Sequence, residues 1–167
     1  FNTTPFTAAV SPTAPGTRSA TLRITTNDPD EASIDISLTG TTPLTPLEEW
    51  RQTWFGTIAN TGDAADSFDY DKDGLTNLME FAFALNPTNP ASATVPTPVH
   101  NGTSITYDFT VPEAAVLSNL QYIAEYSTDG FVWITMPNTG NASQHHHTLP
   151  LDGRPRLFTR VRVAAVP

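Results

Sequence analysis

A mainly β fold interrupted by one small helical insert is the architecture this sequence predicts. Three observations point to it. Apolar and polar residues alternate near both ends of the chain, a helical pattern is confined to the middle, and a dense acidic loop lies between the two helical candidates. The chain has 167 residues and a formal net charge of −9. That balance argues against nucleic acid and anionic membrane surfaces as partners, because both are held largely by Lys and Arg. No cysteine is present, so disulfides and thiolate metal sites are excluded. No apolar run reaches the ~18–20 residues that span a bilayer, so no membrane insertion is expected. A start at Phe1, without methionine or signal peptide, reads as a fragment or processed piece of a longer precursor.

Residues 1–43 read as β. Leu22 and Ile24 share one side of a strand over 19–26, against Thr21, Arg23 and Thr25 on the other. Ile34, Ile36 and Leu38 alternate with Ser33, Asp35 and Ser37. The cluster Asn27-Asp28-Pro29-Asp30-Glu31 between them is turn chemistry, so the two runs predict a hairpin. The residues Val10-Ser11-Pro12, Pro15 to Ile24, Asn27 to Asp30 and Ile36 to Gly40 together resemble the end of an Ig-like domain of the hydin and abnormal-spindle type. The resemblance covers only the closing strands of such a domain. It implies an incomplete β-sandwich, completed by later residues, by another copy or by upstream sequence.

Residues 44–90 read as a helix, a loop and a second helix. The first helix is expected over 46–55, with Pro46 at its start, acids in its first turn and Thr45 as N-cap. The second is expected over 75–85, with Leu78, Phe81, Ala82 and Leu85 on one face and Asn86-Pro87 as its stop. Trp50, Trp54 and Phe55 are the expected core partners of that face.

Between the helices, residues 69–80 read Asp-Tyr-Asp-Lys-Asp-Gly-Leu-Thr-Asn-Leu-Met-Glu. Oxygen donors fall at loop positions 1, 3, 5, 9 and 12, and a glycine falls at position 6. Calcium takes about 6–8 oxygen ligands. Asp69, Asp71 and Asp73 each offer a carboxylate, and Leu75 offers its backbone carbonyl. Asn77 binds directly or through a water, and Glu80 closes the site with both oxygens. Gly74 supplies the sharp turn. Three aspartates this close repel one another without a cation between them. The competing reading is a solvated acidic turn. The loop resembles those of EF-hands, dockerins and thrombospondin-type repeats. It departs from a full EF-hand, because the residues just before Asp69 carry no apolar helical stripe and there is only one loop. The resemblance therefore implies a structural calcium clip, not a paired sensor.

Residues 91–102 read as an extended linker, and 103–167 as a C-terminal β-sandwich. Ile105, Tyr107, Phe109 and Val111 alternate. The runs 120–127 and 131–136 flank Thr128-Asp129-Gly130 as a hairpin, and 157–163 is the expected last strand. The insert, the run Tyr122 to Trp133 and the run Arg156 to Val163 resemble modules near the C-termini of large secreted bacterial proteins.

The remaining candidates are weaker. His145-His146-His147 is expected in an exposed loop, since neighbours on a strand point to opposite faces and cannot converge on one metal. Arg156, Arg160 and Arg162 share a strand face, either solvated or docking an acidic neighbour. Glu48-Glu49 and Asp63-Asp66 are expected as exposed acids, and no catalytic motif is present, so no enzyme activity is expected. Two functions follow. One is a non-catalytic, calcium-binding structural or assembly protein of the cell surface or an extracellular fibre, with residues 1–12 offered as a strand to a neighbouring copy. The other is an accessory module of a larger secreted enzyme that binds carbohydrate or anchors the chain, for which Trp133 with Tyr122 or Tyr126 would form the platform.

Overall fold

The computed structural model describes residues 5–154 and 156–166. The chain divides into two units, Phe1–Leu44 and Thr45–Pro167. Antiparallel strands dominate and the helices are short, so the chain is mainly β.

In the first unit, β1 (Gly16–Thr25) pairs with β2 (Ser33–Thr42). The alternation sets the register, with Leu22 opposite Ile36, Ile24 opposite Ile34 and Arg23 opposite Asp35. Arg23 donates twice to the Asp35 carboxylate, at 2.7 and 2.6 Å. The turn is held by Asp28, whose side chain accepts from the Asp30 N–H at 3.0 Å. Among the described residues β1 and β2 form a two-stranded sheet of their own. Ile34 and Ile36 stay 40% and 38% exposed. Of the expected donor strand, residues 1–4 lie outside the described part, and 5–12 form no helix or strand.

The second unit has two three-stranded sheets. One runs β3 (Val99–His100), β4 (Ser104–Thr110), β7 (Gln144–Pro150). The other runs β6 (Ile134–Thr135), β5 (Leu120–Ser127), β8 (Phe158–Ala165). Tyr107 and Leu149 of the first sheet pack with Ala124 of the second and with Met136, all buried, so the sheets face each other as a sandwich. The Tyr107 hydroxyl donates across to Thr159 Oγ1 at 2.9 Å.

The helices sit at one end of this sandwich. α1 (Pro46–Phe55) opens with a full capping box, in which the Thr45 side chain and Glu48 satisfy each other's backbone N–H. Gly56 closes it in the left-handed conformation, φ 69°. α2 is Asn77–Ala82, shorter than the expected 75–85. Thr76 stays extended as the acidic loop leaves its turn. At the other end Ala84 turns left-handed (φ 53°), and the Leu85 N–H bonds back to the Glu80 carbonyl at 2.8 Å. A short α3 (Glu113–Leu117) was not foreseen. Phe81 and Ala82 of α2 share one buried core with Val111, Ala115, Tyr122 and Val163, and Trp50 of α1 packs on it. The insert and the sandwich therefore fold as one unit. The supposed linker contributes β3 to it.

Two other expectations change. The run 131–136 yields only a two-residue β6, because Asp129 Oδ1 accepts the N–H groups of Phe131 and Val132 (2.8 and 2.9 Å) and holds them in the turn. The three histidines lie on β7, not in an exposed loop. His145 and His147 are buried and His146 faces out.

Candidate metal centre

The loop before α2 is wound by its own aspartates. Asp69 Oδ1 accepts from the Lys72 N–H at 2.7 Å, and its Oδ2 accepts from the Gly74 N–H at 3.0 Å. Asp71 and Asp73 each accept one N–H, from Asp73 and Leu75, at 3.3 and 2.8 Å. Lys72 (φ 65°) and Gly74 (φ 95°) take the left-handed turns that reverse the chain. One carboxylate oxygen from each of the three aspartates lies within 4.8 Å of the others. This acidic triad could hold a metal ion.

Asn77 and Glu80 of α2 are 1% and 0% exposed. The Asn77 amide donates to the carbonyls of Asp63 and Ala65, both at 2.8 Å, so its Oδ1 points away from them and has no hydrogen-bond partner. Asp71 Oδ2, Asp73 Oδ2 and both Glu80 oxygens are likewise buried without a partner. Burial first, then the charges of Asp71, Asp73 and Asp69, push the Glu80 carboxyl up to about 7. Among the described residues none of these four carboxylates pairs with Lys or Arg. Buried polar atoms are almost always satisfied. Here the unsatisfied ones are carboxylate and amide oxygens, the donor set of a hard cation. Leu75, the remaining expected ligand, is half-buried and lies where the chain leaves the turn.

An ion pair holds the loop from behind, and the sequence reading missed it. Buried Arg51 of α1 donates to Asp66 Oδ1 at 2.5 Å, and the Asn60 amide donates to Asp66 Oδ2 at 2.9 Å. The Asp66 carbonyl in turn accepts the Leu78 N–H at 3.1 Å. Asp66 is thus half-buried and paired, not an exposed loop acid, while Glu48 belongs to the helix cap. The one advance signal was an arginine between the aromatic positions 50 and 54 of an amphipathic helix.

The other candidate groups have close neighbours, although His145 Nε2 and His147 Nε2 are buried without a hydrogen-bond partner. The rings of Phe109 and His145 stack at 4.9 Å, and His147 Nδ1–H donates to the Met136 carbonyl at 3.1 Å. Burial, then the neighbouring His147, lower the His145 pKa. His146 pairs with Asp108 at the surface. Tyr122 is buried, the Arg160 guanidinium lies 3.9 Å over the Trp133 ring, and Arg154 covers Tyr126 at 5.4 Å. These three aromatics present no open stacking platform. No helix among the described residues is long and apolar enough to cross a membrane.

Comparison with protein-family models, with curated proteins and with solved structures gives no match.

Proposed function

We propose that this chain is a non-catalytic, calcium-binding structural module of an extracellular or cell-surface protein. The observation that carries the reading is Glu80, fully buried, with both oxygens unpartnered beside three aspartates. Bound calcium would supply the positive charge that lets Glu80 ionise beside the three aspartates. Asp69, Asp71, Asp73, Asn77 and Glu80 would hold it with the Leu75 carbonyl. A preset ring of protein oxygens suits calcium better than magnesium, which prefers a smaller octahedron and keeps several waters.

The consequence for the fold follows from the neighbours of Glu80. Phe81 and Ala82 are in the core, and the Tyr122 hydroxyl donates to the Ala82 carbonyl at 2.7 Å. Fixing Glu80 therefore fixes the helix that joins the insert to β5. This is the work of a clip, and it supports a role in building or stiffening an assembly whose other components are protein. The covered aromatic faces lend no support to a carbohydrate-binding role. Isothermal titration of the full chain tests the reading. Calcium is expected to bind at a single site and magnesium far more weakly, and silence at millimolar calcium would overturn it.

A further inference from the structure

β8 closes the second sheet and, among the described residues, has a partner strand on one flank only. The phase of its pairing can be worked out. The Met136 N–H donates to the Ala124 carbonyl at 2.8 Å, so Ala124 turns its backbone polar groups toward β6. Successive residues of an antiparallel strand turn to alternate flanks. Ile123 and Glu125 therefore face β8, where their partners are Arg162 and Arg160. The residues between, Thr159, Val161 and Val163, direct their N–H and C=O groups to the free flank. None of them makes a backbone hydrogen bond on that flank among the described residues.

A groove of about 540 Å³ meets this flank, lined by residues 159–163 of β8 and, from elsewhere in the unit, by residues 74–76, Met79, Val95, Pro96 and Tyr107. A groove on one face of a sheet meets every second residue of a strand. This one meets consecutive residues, so it follows the strand's edge. At about 3.3 Å per residue, that stretch spans about 16 Å, enough for several residues of extended chain.

The two faces of the edge differ in chemistry. Val161 and Val163 turn toward the interior of the sandwich. Arg160 and Arg162 lie on the outer face with side chains 44% and 48% exposed, and they share one carboxylate, Glu125, at 2.8 and 3.7 Å. Two positive charges against one negative leave a surplus. A second β8 laid alongside would set arginine against arginine, which is unfavourable across strands.

We propose that the open edge of β8 receives an extended segment of a partner protein by β-strand addition. The segment carries apolar residues on the valine side and carboxylates on the arginine side. The probe is an end-blocked octapeptide alternating valine and aspartate, added to the isotope-labelled full chain in calcium buffer and followed by backbone amide shifts. Saturable shifts are expected at Thr159, Val161 and Val163. Val161→Pro removes an edge donor while leaving the β5 ladder intact, and should weaken binding at least ~tenfold. Arg162→Glu, which keeps the Arg160–Glu125 pair, should weaken the aspartate peptide and favour one with lysine in its place. The proposal fails if a peptide of the same composition without alternation binds equally well, or if the shifts map away from β8. It also fails if the peptide-free chain dimerises in a way that Val161→Pro abolishes, since the edge would then serve a second copy.

Discussion

Replacing Glu80 by glutamine should change stability in opposite directions with and without calcium. Without the metal, ionised Glu80 sits buried among three aspartates, and its pKa rises from 4.5 to about 7. At about 1.4 kcal/mol per unit, ionisation costs the folded chain about 3 kcal/mol well above pH 7. A proton is bound more readily folded than unfolded. The neutral group's contribution is therefore full below pH 4.5 and is lost as pH rises through about 7. Glu80→Gln keeps the shape and removes the charge, so in chelator at pH 8.5 it should raise stability by up to that amount. In calcium the sign reverses. Wild type gains about 2.7 kcal/mol at a hundredfold excess over Kd, and the glutamine variant, lacking the closing carboxylate, loses most of that gain. All three tryptophans lie in the Thr45–Pro167 unit, so urea unfolding followed by tryptophan fluorescence reports on the relevant part. Equal destabilisation in both buffers would show that Glu80 is only a packing residue, and the metal-site argument would collapse.

Three further outcomes follow from the same structure. Arg51→Met should destabilise the second unit by about 3 kcal/mol, because Asp66 loses its buried partner; urea midpoints measure this, and a change below about 0.5 kcal/mol would show the pair to be dispensable. Tyr122→Phe leaves the Ala82 carbonyl buried without its donor and should cost about 1–2 kcal/mol, read as a lower melting temperature with calcium affinity reduced in parallel. The lowered His145 pKa means the folded chain prefers the neutral ring. Stability from this group is therefore full above pH 6.5 and is lost as pH falls through the folded-state pKa; His145→Gln should flatten that acid limb, and an unchanged limb would place the titration elsewhere.

Much of the chain was legible where local chemistry and fold agree. The β1–β2 register follows from alternation, α1 from Thr45, Pro46 and Glu48, and the loop winding from aspartates spaced two apart around Gly74. What escaped depends on residues far apart in the chain. β7 reads Gln-His-His-His-Thr-Leu-Pro, with a single large aliphatic residue, Leu149, and no visible apolar period. Its inward histidines serve as core by stacking with Phe109 and with each other. Arg51 has no local pattern to mark its pairing, because its partner Asp66 lies fifteen positions later. The length of α2 was overread because its apolar face continues past Ala82, while the backbone turns left-handed at Ala84.

The brevity of α2 bears on how the molecule comes together in time. Six residues are far too few to hold a helix in water, where about 12–15 are marginal. On one side it needs core partners such as Tyr122 and Val163, which come forty or more residues later in the chain. On the other it needs Asn77 tied to the carbonyls of Asp63 and Ala65. Such a segment is expected to take shape only once the strands have met, and to be the first to come apart. A chain emerging into a calcium-poor space would carry its sandwich assembled and this last turn still loose. Maturation of the module would then be timed by the ion's concentration where the chain arrives, not by its synthesis.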